Sequence, residues 1–148
     1  MRVLLANDTS LQDHLGCFAT MNGLRVLLAK QNVEIVDTIF CKEIKFNYWG
    51  EVNRPLVLKA LERKLSSADM LIINGEGSLH DGNSPELEFL MQTSIERKTP
   101  FAVVNAYINY YPSIFGLLRE AEYVSVRDSG SFIYLQSNKV ESVRSADA

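Results

Sequence analysis

The stretch "DMLIINGEGSLHDGNSPELEFL", residues 69–90, contains a complete strand–loop–helix unit. Its first part, "DMLIIN" (69–74), is an apolar run typical of a strand that is buried on both faces. Ser84 and Pro85 predict a helix cap and first helical residue, and the helix extends to about Lys98. The intervening loop carries two glycines, a glutamate, a serine and a histidine. That is more polar chemistry than a tight turn requires.

The same alternation of apolar runs and helical patterns continues along the whole chain. Strands are predicted at 2–6, 33–40, 69–74, 101–105 and 123–127, with a last strand near the end of the chain, and helices at 15–31, 55–65, 85–98, 112–121 and 128–138. The helix at 55–65 is predicted to begin with Pro55 in its first turn. Such alternation predicts parallel βαβ units with right-handed crossovers. We therefore expect one α/β domain over residues 1–148, with a doubly wound, mostly parallel Rossmann-like sheet and helices on both faces.

The segment "EIKFNYW" (43–49) decides where the polar loop lies. Its weak alternation predicts a short third strand, which makes 69–74 the fourth. In the common strand order 3-2-1-4-5-6, the fourth strand lies beside the first, at the switch point where such sheets bind ligands. If 43–46 is instead a loop, the fourth strand is 101–105 and the polar loop moves to the far edge. The residues alone leave both arrangements open.

Composition excludes several classes of protein. The 148 residues carry a net charge of -3, with scattered lysines and arginines, so no nucleic-acid partner is expected. No run approaches the roughly 18 apolar residues of a membrane helix, and "MRVLLA" is too short for a signal-peptide core. Cys17 and Cys41 lack the spacing of a metal site and predict reduced thiols in a cytoplasmic protein. Neither G-x-G-x-x-G nor a P-loop is present, and no cofactor is expected.

Polar residues follow several of the predicted strands. Because the carboxyl ends of parallel strands share one edge of the sheet, these groups should converge on a ligand site. The alternative is that they serve only as turn and cap residues. The candidate substrate-binding residues are Asn7, Thr9, Ser10, His14, Asn74, Gly75, Gly77, Ser78, His80, Asn105 and Arg127.

Two carboxylates are the candidates for acid–base catalysis. Glu76 lies between two glycines, in a turn that can aim backbone N–H groups and one carboxylate at a ligand. Asp8 precedes two hydroxyl residues, and together they can hold a sugar diol or accept its proton. His80 and Asp81 are further acid–base candidates by proximity in sequence. A structural role in bonding neighbouring loops or starting a helix remains the alternative for each. A zinc site is not predicted, because no second histidine lies near His80.

Arg127 ends a predicted strand, where a guanidinium can bind a carboxylate or phosphate with two hydrogen bonds. The alternative is a salt bridge to Asp128 or Glu76 that joins two loops. Asp128 and the following serines can cap the next helix. The aromatic segment "YINYYP" (107–112) can form a wall for sugar stacking or simply cover the sheet edge.

These residues together resemble the polysaccharide pyruvyl transferase family, over most of the chain. The resemblance lies in the first strand with its polar loop and Gly16 turn, in "ADMLIINGEGSLH", in "FAVVNA", and above all in "EYVSVRDSGSFIYL". Two loops depart from the family pattern. The first loop has His14, Gly16 and Cys17 where many members have asparagine, glycine and an acidic residue, and Glu76 stands where glycine is frequent. These departures affect the side that would hold the acceptor sugar.

The resemblance implies a transfer of pyruvate from phosphoenolpyruvate to a saccharide, forming a ketal, in the synthesis of cell-surface polysaccharide. It also implies an N-terminal, acceptor-side lobe of a two-lobed glycosyltransferase-B-like fold, whose second lobe supplies most basic groups for the donor. The resemblance further favours residues 43–46 as the third strand, which places Glu76 next to Asp8. Glu76 and Asp8 would then serve in proton transfer, and Arg127 in charge stabilisation. The chain alone is expected to bind acceptor and to need the second lobe for transferase activity.

Two alternatives belong to other classes. One is a non-catalytic α/β module that works by self-association or by docking a partner lobe, with the predicted site as an interface. The other is a glycosyltransferase-like domain that binds a nucleotide sugar, which the lack of a phosphate fingerprint disfavours.

Overall fold

The computed structural model describes residues 1–44, 46–77, 79–82 and 84–145, and of residues 46–54 it describes the backbone alone. The strands are β1 (Arg2–Asp8), β2 (Glu34–Phe40), β3 (Met70–Asn74), β4 (Leu79–His80), β5 (Phe101–Ala106), β6 (Ile108–Asn109), β7 (Tyr123–Val126) and β8 (Val143–Arg144). The helices are α1 (Leu15–Lys30), α2 (Cys41–Ile44), α3 (Phe46–Leu65), α4 (Pro85–Glu96), α5 (Phe115–Leu118) and α6 (Ser129–Ser137), with a 3₁₀ turn at Pro112–Ile114.

Six of these strands form one parallel sheet in the order β2-β1-β3-β5-β7-β8. Helices lie on both faces, so the predicted doubly wound, Rossmann-like α/β fold is confirmed. The strand cores at 2–6, 33–40, 69–74, 101–105 and 123–127 all appear, each within one or two residues of its predicted bounds. The two remaining short strands, β4 and β6, pair in parallel with one another outside the main sheet.

The alternating side chains of β1 separate two apolar cores. Val3 and Leu5 point to one face, where Met21 and Leu24 of α1 pack against them. Leu4 and the other alternate residues of the sheet point to the opposite face, toward α2 to α6. All of these β1 side chains are fully buried, and each contributes about 1.5–3 kcal/mol of burial free energy. The long apolar runs in the sequence are therefore explained by strands covered on both sides.

The predicted strand at 43–49 is wrong. Residues 41–44 form α2, residues 46–65 form α3, and Lys45 lies outside the described residues. In α2 the buried side chains are Cys41 and Ile44, three positions apart, which is the spacing of one helix face. The alternation of apolar and polar residues over this short segment therefore predicted the wrong element, because it is a weaker indicator than the helical spacing of Cys41 and Ile44. Pro55 accordingly lies inside α3 and does not begin it.

The polar loop after β3 nevertheless lies at the switch point of the sheet. Without a strand at 43–49, β3 is the third strand in the chain, and it pairs directly with β1. From β1, the sheet continues to β2 on one side and to β3 on the other. This is the other common doubly wound order, 2-1-3-4-5, in which ligands also bind where the direction reverses. The predicted neighbour is confirmed, although the reasoning that led to it counted one strand too many.

The outer strand β2 is covered by side chains along its free edge. Asp37 accepts from the backbone N–H of Thr38 at 2.7 Å, and Lys64 donates to the Thr38 carbonyl at 3.0 Å. Lys64 also pairs with Asp37 at 2.9 Å, and Glu43 accepts from the N–H of Phe40. Burial alone would raise the pKa of Asp37, but its bonds to Lys64 and Thr38 outweigh burial and lower that pKa. These contacts occupy groups that would otherwise pair with another strand.

Candidate functional site

Two asparagines at the carboxyl edge adopt left-handed backbone conformations. Asn7 has a φ of 58° and Asn105 a φ of 56°, values that asparagine tolerates better than most residues. The register of β1 with β2 shifts between Ala6 and Asp8, and that of β5 with β7 shifts between Val103 and Ala106. Both asparagines therefore lie in β-bulges, which redirect side chains at the ends of strands.

The redirected side chains meet a third asparagine on the strand between them. Asn74, at the end of β3, is fully buried. Its backbone carbonyl accepts from Asn7 Nδ2 at 2.6 Å, and its Oδ1 accepts from Asn105 Nδ2 at 3.4 Å. Asn105 Oδ1 is buried and has no hydrogen-bond partner among the described residues. The three residues form a polar floor beneath the sheet edge, joining the ends of β1, β3 and β5.

The turn after β3 begins with a glycine that has no space for a side chain. A Cβ on Gly75 would lie 2.6 Å from the Cβ of Ala106 and 2.9 Å from its Cα, both closer than real contacts allow. Gly77 has a φ of 57°, which L-residues with side chains rarely adopt. The loop thus crosses close over the end of β5 and then turns, leaving Glu76 at the top of the turn.

Glu76 is held across the switch point. Its Oε2 accepts from Thr9 Oγ1 at 2.8 Å and from Asn74 Nδ2 at 3.5 Å. Its backbone N–H donates to Asn74 Oδ1 at 3.3 Å. Glu76 remains half-buried, so its carboxylate is oriented by neighbours and still reaches solvent. A ligand in the cleft could therefore contact this carboxylate.

A polar cleft of about 470 Å³ opens above this edge, within the size range of small-molecule sites. It is called the cleft from here on, and its walls come from the loops after β1, β2, β3 and β7 and from the start of α4. Its lining residues are Thr9, Gln12, His14, Cys17, Cys41, Glu76, Gly77, His80, Ser84, Glu86 and Arg127. Carboxylate, imidazole, guanidinium, hydroxyl and thiol groups therefore face one space.

Asp8 has a different environment. Its side chain is fully buried, and it forms an ion pair with Arg25 of α1, whose side chain is 34% exposed. The second carboxylate oxygen accepts from the N–H of Ser10 at 2.8 Å. Asp8 is not among the described residues that line the cleft. Its contacts attach α1 to the end of β1, which is a structural role.

On the other wall, Tyr107 lies between two basic side chains. The His80 ring is 6.0 Å from the Tyr107 ring in an edge-on arrangement, and the Arg127 guanidinium carbon is also 6.0 Å from the ring centre. His80 Nδ1 is 2.9 Å from Asp81 Oδ2. The pairing of β4 with β6 places His80 opposite Asn109 and so fixes the loop after β3 against the loop after β5.

The start of α1 forms the opposite wall. His14 is the helix cap, and its Nδ1 accepts from the N–H of Cys17 at 3.3 Å. A Cβ on Gly16 would lie 2.8 Å from the His14 ring, so the glycine leaves room for that ring. Gln12 reaches between two thiols: its Oε1 is 3.7 Å from Cys17 Sγ, and its Nε2 is 3.3 Å from Cys41 Sγ.

The aromatic residues of the segment 107–112 have different environments. Tyr107 packs against the basic pair described above, whereas Tyr110 is 73% exposed. Tyr111 is buried, and its hydroxyl accepts from the N–H of Ser84, the cap of α4, at 3.1 Å. Burial and the nearby Glu88 carboxylate raise the pKa of Tyr111 to about 12. The segment therefore contributes one ring near the cleft and one that supports α4.

Several predicted residues line the cleft, and others support it. Thr9, His14, Glu76, Gly77, His80 and Arg127 line the cleft, while Asn7, Asn74, Gly75 and Asn105 form or border its floor. Ser10 lines a neighbouring pocket of about 240 Å³ together with His14. Ser78 lies outside the described residues. Asp128 caps α6, as predicted, by accepting from the N–H of Ser131 at 2.9 Å.

Other lining residues were missed from the sequence: Gln12, Cys17, Cys41, Ser84 and Glu86. Cys41 follows the carboxyl end of β2, so the rule applied to the other strands would have found it. Gln12 follows the end of β1 in the same way. Ser84 and Glu86 had been assigned only to the start of a helix, where nothing in the sequence indicated the cleft.

No group of histidine, cysteine, aspartate and glutamate suited to a metal ion occurs in the part of the chain that the structure describes. Over the same residues, no helix has both the length and the apolar character needed to cross a membrane.

Comparison with known proteins identifies no relative. The sequence matches no protein-family model, and neither curated proteins nor solved structures give a significant match.

Proposed function

We propose that the chain is the acceptor-side domain of a polysaccharide pyruvyl transferase-like enzyme, and that the cleft binds a saccharide. The observation that carries the proposal is Glu76, a half-buried carboxylate oriented by Thr9 and Asn74 at the switch point. The sequence resemblance described above supports the choice of reaction. The walls of the cleft add hydrogen-bonding groups, and Tyr107 adds a ring beside it, as sugar recognition requires.

In the proposed reaction, two acceptor hydroxyl oxygens replace the phosphate of phosphoenolpyruvate and form a ketal. One hydroxyl proton is transferred, in net terms, to the methylene carbon, which becomes a methyl group, and the other leaves with phosphate. Glu76 accepts a proton from the acceptor hydroxyl, and Arg127 stabilises the negative charge of the donor. Asp8 anchors α1 through Arg25 and is no longer our candidate for proton transfer.

By the same resemblance, a second lobe supplies most of the basic groups that hold phosphoenolpyruvate. This domain is then expected to bind acceptor without transferring pyruvate by itself. The proposal places the domain in the cytoplasm, where phosphoenolpyruvate is produced.

A titration with neutral saccharides, followed by backbone amide shifts, tests acceptor binding. We expect shifts at residues 7–16 and 74–80, and Glu76→Gln should weaken binding about tenfold or more through loss of a charged hydrogen-bond acceptor. Glu120→Gln, at an exposed position on the same domain, is the matched control and should bind like the parent. Shifts confined to other regions, or equal affinities for the two variants, would contradict the proposal.

An exposed apolar surface favours a second candidate, a module that associates through α1. Leu15 is 88% exposed, Phe18 is 52% exposed, and the neighbouring Leu11 is 60% exposed. Leu15 and Phe18 are three positions apart and share one side of α1. The molar mass of the domain in solution distinguishes the candidates. A dimer that Phe18→Ser converts to monomer, together with no saccharide-dependent shifts, would favour association over acceptor binding.

A further inference from the structure

Two cysteines from different elements contact opposite ends of one side-chain amide. Cys17 lies in the first turn of α1, and Cys41 is the first residue of α2. The Cys17 thiol donates to Gln12 Oε1 at 3.7 Å, while Gln12 Nε2 donates to Cys41 Sγ at 3.3 Å. Both cysteines and Gln12 line the cleft. The proposed saccharide site uses Glu76 and the polar floor, and it gives these two thiols no role.

The span of the bridging amide limits the distance between the thiols. An amide oxygen and nitrogen are joined through one carbon by short bonds, so the two sulfur atoms are no more than about 10 Å apart. The Gln12 side chain that bridges them projects from a loop. We propose that Cys17 and Cys41 are a reversible oxidation site, in which Gln12 separates the reduced thiols and leaves when they form a disulfide.

The oxidant is a peroxide, and the order of the steps follows from exposure. Cys17 is half-buried whereas Cys41 is only 6% exposed, so Cys17 reacts first. Its sulfur attacks the O–O bond, taking one oxygen as sulfenic acid while the other leaves as water. The Cys41 sulfur then attacks the Cys17 sulfur, and the sulfenic oxygen departs as a second water. Two thiols and one hydrogen peroxide thus give one disulfide and two waters.

The bond would change the shape of the cleft. A disulfide holds two Cα atoms about 4.4–6.8 Å apart, so the bond would fix the first turn of α1 at that distance from the start of α2. Gln12 must leave its position between the thiols, so the lining of that end of the cleft changes. The inference does not depend on saccharide binding, because it concerns only the thiols and the amide between them.

The test is a peroxide titration of the whole reduced chain. After oxidation, remaining thiols are blocked with iodoacetamide and the protein is digested with trypsin. Cleavage at lysine and arginine places Cys17 in peptide 3–25 and Cys41 in peptide 31–42. We expect a cross-linked pair of these two peptides, which disappears on treatment with dithiothreitol, and no disulfide-linked dimer on a non-reducing denaturing gel.

Variants make the result specific. Cys17→Ser and Cys41→Ser should each abolish the cross-linked pair. Gln12→Ala removes the amide between the thiols and should speed cross-linking several-fold. Gln92→Ala, an exposed glutamine that contacts only Glu96 among the hydrogen bonds described, is the matched control and should leave the rate unchanged.

Three results would overturn the inference. One is oxidation of Cys17 to sulfinic acid without the cross-linked pair, and another is a disulfide formed only between chains. The third is an equal rate in Gln12→Ala and Gln92→Ala, which would show that Gln12 does not separate the thiols.

Discussion

Asp8 ends β1 and Glu76 follows the end of the neighbouring strand β3 at the same sheet edge, yet their environments differ. Asp8 is fully buried, is paired with Arg25 and is not among the described residues that line the cleft, whereas Glu76 is half-buried, accepts from Thr9 and lines the cleft. A charged partner fixes the first carboxylate as a structural group. Thr9 and Asn74 orient the second at the wall of the cleft, where a ligand can reach it. Position on the edge of an α/β sheet therefore does not by itself show whether a carboxylate faces a ligand site or serves the packing of a helix.

The largest expected effect comes from removing the partner of the buried carboxylate. Arg25→Ala should lower the free energy of unfolding by about 3 kcal/mol, because it leaves Asp8 buried and uncompensated. Asp8→Asn should cost less, about 1–2 kcal/mol, since Arg25 is partly exposed and can be solvated. Urea unfolding measures both, with the exposed Lys59→Ala as control, expected within about 0.5 kcal/mol of the parent. Equal stability of Arg25→Ala and the control would show that the pair is not structural.

A second, smaller effect is expected at the turn that carries Glu76. Gly75→Ala should lower the free energy of unfolding by about 2 kcal/mol, because the added Cβ meets both the backbone and the side chain of Ala106. Gly116→Ala is the matched control: it lies in α5 with open space around it and should be neutral or slightly stabilising. Thermal or urea unfolding of the two variants gives the comparison.

Adding Ala106→Gly to Gly75→Ala should recover part of the lost stability, since it removes the closest of the two contacts. Failure of this second change to help would mean that the clash with the Ala106 backbone, and not with its side chain, sets the cost.

The smallest effect concerns Asp37, a carboxylate that is 42% exposed. Its pKa is lowered from the ordinary value of 3.8 in the folded state, so its contribution to stability is present above that value. The contribution is lost as pH falls through the folded pKa. Asp37→Asn should therefore cost less than about 1 kcal/mol at pH 7. Urea unfolding from pH 7 downward should show the difference from the parent shrinking as the pH approaches 3.

The exposed Asp13→Asn serves as control for that pH series, and its difference from the parent should stay small throughout. If the difference in free energy of unfolding between Asp37→Asn and the parent increased as the pH fell, the result would contradict a lowered pKa of Asp37. Together Asp8 and Asp37 test whether the free-energy effect of a charged partner rises with burial.

Sequence reasoning succeeded where long patterns were involved and failed where short ones were. The apolar runs of β1 and β3 fixed the α/β class because strands covered on both faces leave a continuous signal. The segment 43–49 gave only weak alternation, and packing of Cys41 and Ile44 on one helix face decided its structure. Pro55 was likewise misjudged, because proline is much commoner in a first turn than inside a helix.

The sequence predicted where the candidate site lies, but it did not predict what each residue of the site does. The strand ends indicated which loops converge, and Glu76 and Thr9 do meet there. Nothing in the sequence indicated that Asp8 would turn toward Arg25, since that contact depends on how α1 packs against the sheet. The sequence did not predict the bulges at Asn7 and Asn105 either, because asparagine at a strand end is consistent with an ordinary turn.

The buried Asn74 also bears on the chemical ageing of the chain. Asparagine followed by glycine is the pair most prone to deamidation. In that reaction the glycine nitrogen attacks the carbon of the side-chain amide, ammonia leaves, and the resulting cyclic imide is hydrolysed to a carboxylate. Here the N–H of Gly75 is held by the carbonyl of Val104 at 2.8 Å, and the Asn74 side chain is held by its neighbours. The folded chain therefore opposes the attack. Deamidation in an unfolded molecule would place a carboxylate beneath Glu76 on refolding, so each unfolding event exposes the site to permanent damage.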